Sequence, residues 1–398
     1  MKILYHHRTQ AEDGQAVHIR SMIRAFEAEG HSVKESALVA RSGSLDNTAG
    51  HAADAPSESL LGRFAGLLPN FARELAEYAY SWPATRRLCR DAREFEPDVL
   101  YERYAFGNAA GVRAAARLGL PLVLEVNSPM VLELSRTRGL SFPRMAARVE
   151  IGIFRAATRV CVVTQVLGDM LVSLGVEPGR IFVTPNGVHL DQYEYQDREA
   201  VRASALRDLG VPAGEAATDA LVLGFVGYYR DWHRLDLVIE GLRDKELAKA
   251  RFVLIGMGPA EEELREKARA CGVAERVHFA GPRPHDTIPA LLPAFDIALV
   301  PAINSYASPL KLHEYMAATL AIIAPDQANL REVLSDEQDA LLVPTGDGDA
   351  LLEAVLRLAR DRGMRSRLAR AARETIETRE LTWRGNARRV VQAVESLS

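Results

Sequence analysis

A short segment near residue 310 combines a proline, a lysine and a glutamate in an order that suits a phosphate group and a sugar. Ser308 and Pro309 predict the start of a helix, with the proline in its favoured first turn. The N–H groups of Leu310 and Lys311 would then lie at a helix N-terminus, which attracts anions. Glu314 follows one turn later, and its carboxylate can accept hydrogen bonds from both hydroxyls of a ribose. An exposed ion pair on a solvated helix is the alternative that this spacing leaves open.

A second group of charged residues follows a buried strand in the segment GYYRDWHRLD, residues 227–236. It brings Arg230, His233 and Arg234 together, and cations at this point could neutralise a diphosphate. The alternative is a solvated loop in which Trp232 is the packing anchor.

Glycines at strand-to-helix turns could let backbone N–H groups approach an anion. Gly14 lies at the predicted start of the first helix, and Gly227 opens the second charged segment. Gly256 and Gly258 follow the strand RFVLIG, but the third glycine of a dinucleotide-binding fingerprint is missing, so a NAD site is not predicted. Tight packing of each turn is the alternative reason for these glycines.

Eight short apolar runs, most of them followed by a helical pattern, predict parallel strands that are buried on both faces. The runs are residues 1–5, 122–126, 160–164, 221–227, 251–256, 276–281, 297–301 and 321–325. Helices are predicted from Gln15 to Glu27, where apolar residues share one face, and from Pro259 to Gly272, where acidic residues come first. The pattern predicts an α/β protein with doubly wound sheets, which bind ligands at the carboxyl ends of their strands.

The alternation of strands and helices is interrupted twice. Residues 41–59 are rich in Ser, Ala, Gly and Asp and predict a surface loop. Residues 184–219 are polar, contain Pro-Asn-Gly, and predict a linker near 186–200. We therefore predict two Rossmann-like lobes that face a central cleft, followed by a terminal helix. The predicted boundaries are 1–190, 191–378 and, for the helix, 379–398.

The composition is that of a globular protein, because 48% of the 398 residues are apolar and 26% are charged. The net charge of −4 argues against a nucleic-acid-binding protein, which would be basic. The three cysteines and the histidines lack the spacing of disulfide frameworks or metal sites, so no metal is predicted. No signal peptide and no apolar run of ~18–20 residues is present, which predicts a cytoplasmic protein.

The ordered set of segments resembles the family 4 glycosyltransferases of the GT-B fold over nearly the whole chain. The segments in the first half are DGQAVHIRSMIRAFEAEGHSV, PDVLYERYAFG, PLVLEVNSP and VTPNGVHLDQY. Those in the second half are FVGYYRDWHRLDLVIEGL, IGMGPAEEEL, VHFAG, AFDIALVPA and SPLKLHEYMAATLAIIAP. The last of these is similar to the end of the family's Glu-x7-Glu signature.

This resemblance implies transfer of a sugar from a nucleotide-sugar donor with retention of anomeric configuration, without a metal or other cofactor. It implies that the nucleotide binds the C-terminal lobe and the acceptor the N-terminal lobe, and that the terminal helix crosses back to the N-terminal lobe. Glu314 matches the family's ribose-binding glutamate, and Pro309, Leu310 and Lys311 match its phosphate-contacting backbone.

Several positions depart from the family pattern. Tyr306 stands where the signature has its first glutamate, so Tyr306, Asn304 or the backbone must bind the sugar ring. Asn127 stands where a histidine is common, and it can bind a sugar hydroxyl but cannot shuttle a proton. Tyr228 and His233 stand where the family usually has Arg and Lys, so Arg230, His233 and Lys311 are the cations expected to bind the diphosphate. The predicted catalytic residues are therefore Asn127, Arg230, His233, Lys311 and Glu314.

The acceptor side is less defined by sequence. Residues 135–159 contain six arginines and one acid, and residues 60–80 form an amphipathic pattern rich in Leu and Phe. Together they could contact the anionic inner surface of a membrane or hold a lipid-linked acceptor. We favour the alternative of a buried helix face beside a solvated basic face. The residues predicted to line the acceptor site are Glu102, Arg103, Tyr104 and Glu125.

The expected acceptor is a glycan, a lipid-linked sugar or a small molecule. Two other functions fit the same pattern. One is a nucleotide-sugar epimerase of the same fold, and the other is a non-catalytic nucleotide-sugar-binding protein.

Overall fold

The computed structural model describes residues 1–8, 14–37, 69–211 and 220–397. The predicted loop at 41–59 lies outside the described residues, as do residues 60–68 of the predicted amphipathic stretch. Within these ranges, no helix is both long and apolar enough to cross a bilayer.

The chain divides into two compact units. The first comprises Met1–Pro185 together with Trp383–Ser398, and the second comprises Asn186–Thr382. The division therefore lies at Pro185 and Thr382, a few residues from the expected boundaries at 190 and 378.

The first unit contains a parallel sheet of six strands in the order β2-β1-β3-β4-β5-β6. The strands are β1 (Lys2–His7), β2 (Ser32–Ala37), β3 (Val99–Arg103), β4 (Leu122–Val126), β5 (Arg159–Val162) and β6 (Ile181–Val183). The helices are α1 (Gly14–Ala28), α2 (Asn70–Ala79), α3 (Ser81–Phe95), α4 (Ala110–Leu118), α5 (Met130–Thr137), α6 (Pro143–Ala156), α7 (Gln165–Ser173) and the terminal α16 (Trp383–Glu395). The strand order reverses between β1 and β3, where His6 lies opposite Glu102.

The terminal helix α16 belongs to the first unit because it packs on α1. Trp383 is buried and meets the ring of His18 edge-on, with ring centroids 4.8 Å apart. Arg384 and Arg388 each donate to the Glu29 carboxylate at 2.7 Å. This placement agrees with the crossing helix that the family resemblance implied.

The second unit contains a parallel sheet in the order β12-β11-β10-β7-β8-β9. The strands are β7 (Val222–Val226), β8 (Arg251–Ile255), β9 (Val277–Gly281), β10 (Ile297–Leu299), β11 (Ala321–Pro325) and β12 (Leu341–Val343). The helices are α8 (Arg198–Asp208), α9 (Leu235–Gly241), α10 (Glu261–Ala270), α11 (Ile288–Leu291), α12 (Leu310–Ala317), α13 (Ala328–Arg331), α14 (Gly348–Arg360) and α15 (Arg362–Thr378). The strand order reverses between β7 and β10, where ligands bind in sheets of this type.

All eight predicted strands are present, within three residues at each end. Four strands lie outside these eight runs, namely β2, β3, β6 and β12. Three of them (β2, β6 and β12) lie at sheet edges, and β3 lies between β1 and β4. β2 has the polar sequence SVKESA and is only partly buried, so it lacks the apolar run of a central strand.

The loops that follow β7 and β8 pack so closely that only glycine fits at two positions. A Cβ on Gly256 would lie 2.0 Å from the carbonyl oxygen of Gly227, and one on Gly258 would lie 2.3 Å from that of Tyr229. The φ angles of Gly227 and Gly256 are 140° and 137°, in the region that favours glycine. The backbone N–H of Tyr229 also donates to the Met257 carbonyl at 2.8 Å. Packing therefore gives a reason for these glycines, and the donor-binding role predicted for them stays a prediction.

We predict that Gly258→Ala destabilises the second unit by about 1–3 kcal/mol, because the added methyl overlaps the Tyr229 backbone. Gly152→Ala is the matched control, since Gly152 lies within α6 with no atom near its Cβ position. The control should gain about 0.5–1 kcal/mol from better helix propensity. Urea unfolding of both variants measures the difference, and equal free energies of unfolding would contradict the packing argument.

Candidate functional site

Helix α12 begins at Leu310, directly after β10 and its loop. Pro309 precedes the helix in an extended conformation (ψ 128°) rather than lying in its first turn, which corrects the prediction. No side chain caps this end of α12. Ser308 is buried, and its hydroxyl accepts a hydrogen bond from the backbone N–H of Asn186 at 3.0 Å. Ser308 therefore fixes the approach to the helix, whose first N–H groups are left for a ligand or solvent.

Lys311, in the first turn of α12, reaches back to the end of β7. Its ammonium lies 3.8 Å from the centroid of the Phe225 ring, and a Cβ on Gly227 would lie 2.7 Å from the same atom. Within the described residues, no hydrogen bond or ion pair engages it. Burial lowers the pKa of Lys311 to about 7, although the Glu314 carboxylate opposes this shift. An anion at this point would meet a cation that lacks a close counter-ion.

Glu314 is buried one turn further along α12. Its carboxylate pairs with the imidazole of His285, with 2.7 Å between Nε2 and Oε1. Burial, and to a lesser extent the charge of Glu314, raises the pKa of the Tyr193 phenol. Sequence analysis missed His285, which lies in the single turn His285–Thr287 after β9, because only the fold brings it to α12.

His233 does not serve as the predicted cation. It is buried, its Nδ1 lies 3.1 Å from the Ala302 carbonyl oxygen, and its ring packs between Phe225 and Trp232. Burial and the nearby Lys311 charge lower the pKa of His233 to about 3, so the ring is neutral near pH 7. Contrary to the prediction, His233 is a packing residue under the loop, and other groups must neutralise the charge of a diphosphate.

The two arginines of this loop differ in placement. Arg230 is exposed, with its guanidinium 4.6 Å from the centroid of the Tyr228 ring. Arg234 makes a two-bond ion pair with Asp236, at 3.1 Å for each bond. Of the two arginines, Arg230 lies against an aromatic ring, whereas Arg234 is paired with a carboxylate.

The segment that precedes α12 is held by two side chains that sequence analysis did not single out. Asn329 is buried and donates to the carbonyls of Asn304 and Ala307, at 3.2 and 2.7 Å. Gln327 donates to the Ile303 carbonyl at 3.2 Å. Tyr306 is 7% exposed within this segment. These amides could have been suspected from their position after β11, which is a neighbour of β10.

Gly14 belongs to the first unit, whereas the start of α12 belongs to the second. It is the exposed first residue of α1, and residues 9–13 before it are outside the described ranges.

Glu125, at the end of β4, is the centre of a buried polar network in the first unit. It accepts hydrogen bonds from Tyr101 (2.7 Å), Arg103 and Asn127, and lies 3.1 Å from His18. Burial alone would raise the pKa of Glu125, but the charges and hydrogen bonds of His18 and Arg103 outweigh it and hold the pKa well below 4.5. Glu125 is therefore an ionised, saturated anchor rather than a group that contacts an acceptor.

This network decides which way the Asn127 amide points. A carboxylate can only accept, so the Asn127 Nδ2 group faces Glu125 and Oδ1 faces away. Asn127 and Arg103 are both partly exposed, whereas Glu125 is 1% exposed. Of the residues around Glu125, these two remain able to contact a ligand.

Glu102 and Tyr104 are also structural. Glu102 is 1% exposed and accepts from Asn108 Nδ2 (2.9 Å) and the Gly111 N–H (3.2 Å) at the start of α4. Its burial raises the pKa of Glu102 to about 8. Tyr104 is buried and donates to Glu150 at 2.8 Å. The expectation that these two residues line an acceptor surface is corrected by their burial.

Solved structures share this pair of sheets. The chain superposes on HepE from Anabaena, solved in complex with UDP, with a TM-score of 0.73, 16% identity and full coverage of both chains. It also matches sucrose-phosphate synthase from Thermosynechococcus elongatus with a TM-score of 0.72 and 17% identity, covering 100% of this chain and 98% of that one. The fold is therefore GT-B, the two-sheet architecture of many sugar-transferring proteins.

Family models match both units in sequence. The model described as Glycosyltransferase Family 4 matches residues 13–192, and the one described as Glycosyl transferases group 1 matches residues 220–361. The chain belongs to this family of glycosyltransferases.

Curated relatives have related names. D-inositol 3-phosphate glycosyltransferase of Salinispora tropica is 28% identical over 302 residues, which are 72% of this chain and 61% of that protein. 2-Deoxystreptamine N-acetyl-D-glucosaminyltransferase of Streptomyces fradiae is 28% identical over 276 residues, which are 66% of this chain and 62% of that protein. The chain thus aligns with about three fifths of the length of these relatives.

The lowered pKa of Lys311 predicts how UDP affinity depends on pH. A bound diphosphate favours the ammonium form, so binding above a pH of about 7 requires proton uptake by Lys311. The affinity should be nearly constant between about pH 6, where the terminal phosphate of UDP gains its second charge, and about pH 7, and should fall by up to about tenfold per pH unit above that. Calorimetric titration of the wild type and Lys311→Met measures this, and the variant should lose the dependence. A wild-type affinity that is flat up to about pH 9 would contradict the assignment.

The contact between Glu125 and Asn127 predicts a pH-dependent effect of Asn127→Asp. A second carboxylate beside Glu125 has its pKa raised in the folded state, so the stability of the variant is lost as pH rises. The variant should melt close to wild type near about pH 4 and clearly below it near about pH 8. Asn127→Ser is the control. It introduces no charge, so any loss of thermal stability in this variant should not vary with pH.

Proposed function

We propose that the protein transfers a sugar from a nucleoside-diphosphate sugar to a hydroxylated acceptor, with retention of anomeric configuration and without a metal ion. The observation that carries the proposal is the start of α12, where the Lys311 ammonium, an uncapped helix end and Glu314 lie within about one turn. This combination suits a diphosphate joined to a ribose.

The second unit supplies the positive charge that a leaving diphosphate needs. Lys311 is partly desolvated against Phe225, so its interaction with an anion is stronger than that of a surface lysine. The N–H groups at the start of α12 add fixed dipoles that need no rearrangement during the reaction. Arg230 is the further cation of this group, since His233 is neutral.

In the proposed reaction, the bond between the anomeric carbon and the diphosphate oxygen breaks while the acceptor oxygen bonds to the same face of that carbon. The acceptor proton passes to the leaving phosphate oxygen. Asn127 cannot take this proton, because an amide is not a base near pH 7. Its Oδ1, turned away from Glu125, is suited to accept a hydrogen bond from a sugar or acceptor hydroxyl.

The choice of test substrates follows the named relatives. HepE was solved with UDP and with UDP-glucose, so UDP-sugars are the first donors to test, followed by GDP- and ADP-sugars. The two relatives have names that contain inositol 3-phosphate and 2-deoxystreptamine, and both compounds are polyhydroxylated six-membered rings. Small cyclic polyols are therefore the first acceptors to test, before lipid-linked or polymeric glycans.

Contact with the inner membrane surface stays a prediction. Large apolar side chains are exposed on α2 (Phe71 and Leu75) and on α6 (Met145), with Phe142 just before α6. Glu74 of α2 accepts from the Phe142 N–H at 3.2 Å, which brings these two exposed groups together on the first unit. Such a group suits the interface of a bilayer.

We predict that Glu314→Gln lowers both UDP affinity and turnover by about 10- to 100-fold, since it replaces a charged acceptor of ribose hydrogen bonds by a neutral one. Glu262→Gln on α10 is the control, because Glu262 is exposed and pairs with Arg269 of the same helix. UDP release from UDP-glucose in the presence of the acceptors measures turnover, and equal effects of the two substitutions would refute the site.

The same assay separates the alternative functions. Release of an epimerised free sugar without an acceptor would favour an epimerase. Binding of UDP-sugars with no UDP release for any acceptor would favour a non-catalytic binder.

A further inference from the structure

A cavity in the first unit lies between α3 and α4, outside every group of residues considered above. It has a volume of about 280 Å³ and is lined by Trp82, Thr85, Arg86, Arg113 and Arg117. Three of the five lining residues are arginines, and none is an acid.

The three guanidinium groups have no counter-ion within the described part of the chain. Among residues that the structure describes, no carboxylate lies within ion-pair distance of Arg86, Arg113 or Arg117. Arg86 instead lies 4.9 Å from the centroid of the Trp82 ring. Like charges that share a pocket repel one another, and a bound anion would relieve this repulsion.

Hydrogen bonds connect the two helices that line the pocket. Ser81 Oγ donates to the Gly107 carbonyl at 3.2 Å and accepts from the Ala109 N–H at 3.0 Å. Thr85 Oγ1 donates to the Ser81 carbonyl at 2.6 Å. The first turn of α3 is therefore tied to the residues just before α4, which fixes the spacing of the two helices.

The exposed tryptophan indicates what accompanies the anion. Trp82 is 62% exposed, although a tryptophan of a folded unit is ordinarily covered. Its ring offers an apolar surface to a sugar ring or a glycerol chain beside the cations. The arginine fork matches a phosphate, and three such groups exceed what the single charge of a carboxylate would need.

We propose that this pocket binds a phosphate ester, with the phosphate between Arg86, Arg113 and Arg117 and the attached sugar or glycerol against Trp82. The phosphate can belong to a soluble sugar phosphate or to the headgroup of an anionic lipid. The pocket belongs to the first unit and the proposed nucleotide site to the second, and the two share no residue, so this proposal does not depend on the proposed function.

Tryptophan fluorescence tests the proposal directly. In a Trp232→Phe background, emission comes from exposed Trp82 and buried Trp383. Glucose 1-phosphate and inorganic phosphate should each change this emission saturably at low ionic strength, whereas glucose should not. The double substitution Arg113→Ser with Arg117→Ser should weaken the response at least about tenfold, because it removes two charge-assisted contacts. Arg93→Ser, an exposed arginine of α3 outside the pocket, should leave it within about twofold.

A second arm distinguishes the sources of phosphate. Cosedimentation with phosphatidylglycerol vesicles, compared with phosphatidylcholine vesicles, should also depend on Arg113 and Arg117 if the ligand is a lipid headgroup. Competition by glucose 1-phosphate would identify a soluble ester instead, and either result supports the pocket. The proposal is overturned if neither probe separates the double variant from wild type, or if Arg93→Ser causes the same loss. Unchanged circular dichroism and UDP affinity of the double variant show that it is folded and that the nucleotide site is independent.

Discussion

The ammonium of Lys311 lies against the ring of Phe225 and beside Gly227, at the carboxyl end of β7. A charge in this position is only partly hydrated, which is why its pKa falls to about 7 and why an anion would be bound strongly there. The surrounding structure maintains this contact. Because Gly227 has no side chain, the lysine can approach the end of β7. The close packing of Gly256 and Gly258 fixes the loop that contains Gly227. The candidate nucleotide site is thus a consequence of how tightly two strand-end loops pack.

In the first unit, by contrast, buried carboxylates accept hydrogen bonds from other groups of the protein. Glu125 receives hydrogen bonds from several donors, so its negative charge is fully compensated and its role is to orient Arg103 and Asn127. Glu102 is equally buried, and its hydrogen bonds go to the start of α4. Carboxylates that looked like candidate ligand-binding groups are anchors for the loops around them. Arg103 and Asn127, which Glu125 orients, stay partly exposed.

Part of the candidate site could be predicted from sequence because it depends on local order. Ser308, Lys311 and Glu314 lie within seven residues of one another, and their relation follows from helical geometry once a helix is predicted. The strands were predicted because parallel strands buried on both faces need continuous apolar runs. Edge strands such as β2 were not predicted, because they are only partly buried and need no continuous apolar run.

The remaining features depend on residues that are far apart in the chain. His285 meets Glu314, and Asn329 holds the segment before α12, only because β9, β10 and β11 lie in one sheet. The error about His233 has the same origin, since a histidine next to two arginines suggests a cation until burial between two aromatic rings is known.

The sequence by itself determined the α/β class, the positions of eight of the twelve described strands, the family and the short-range order of the groups at the start of α12, because these depend on periodicity and on neighbouring residues. Tertiary structure decided which charged groups are hydrated, which are saturated by partners and which are neutral. Desolvation and hydrogen-bond partners depend on atoms from distant parts of the chain, and these determine whether a lysine, a histidine or a carboxylate is available to a ligand.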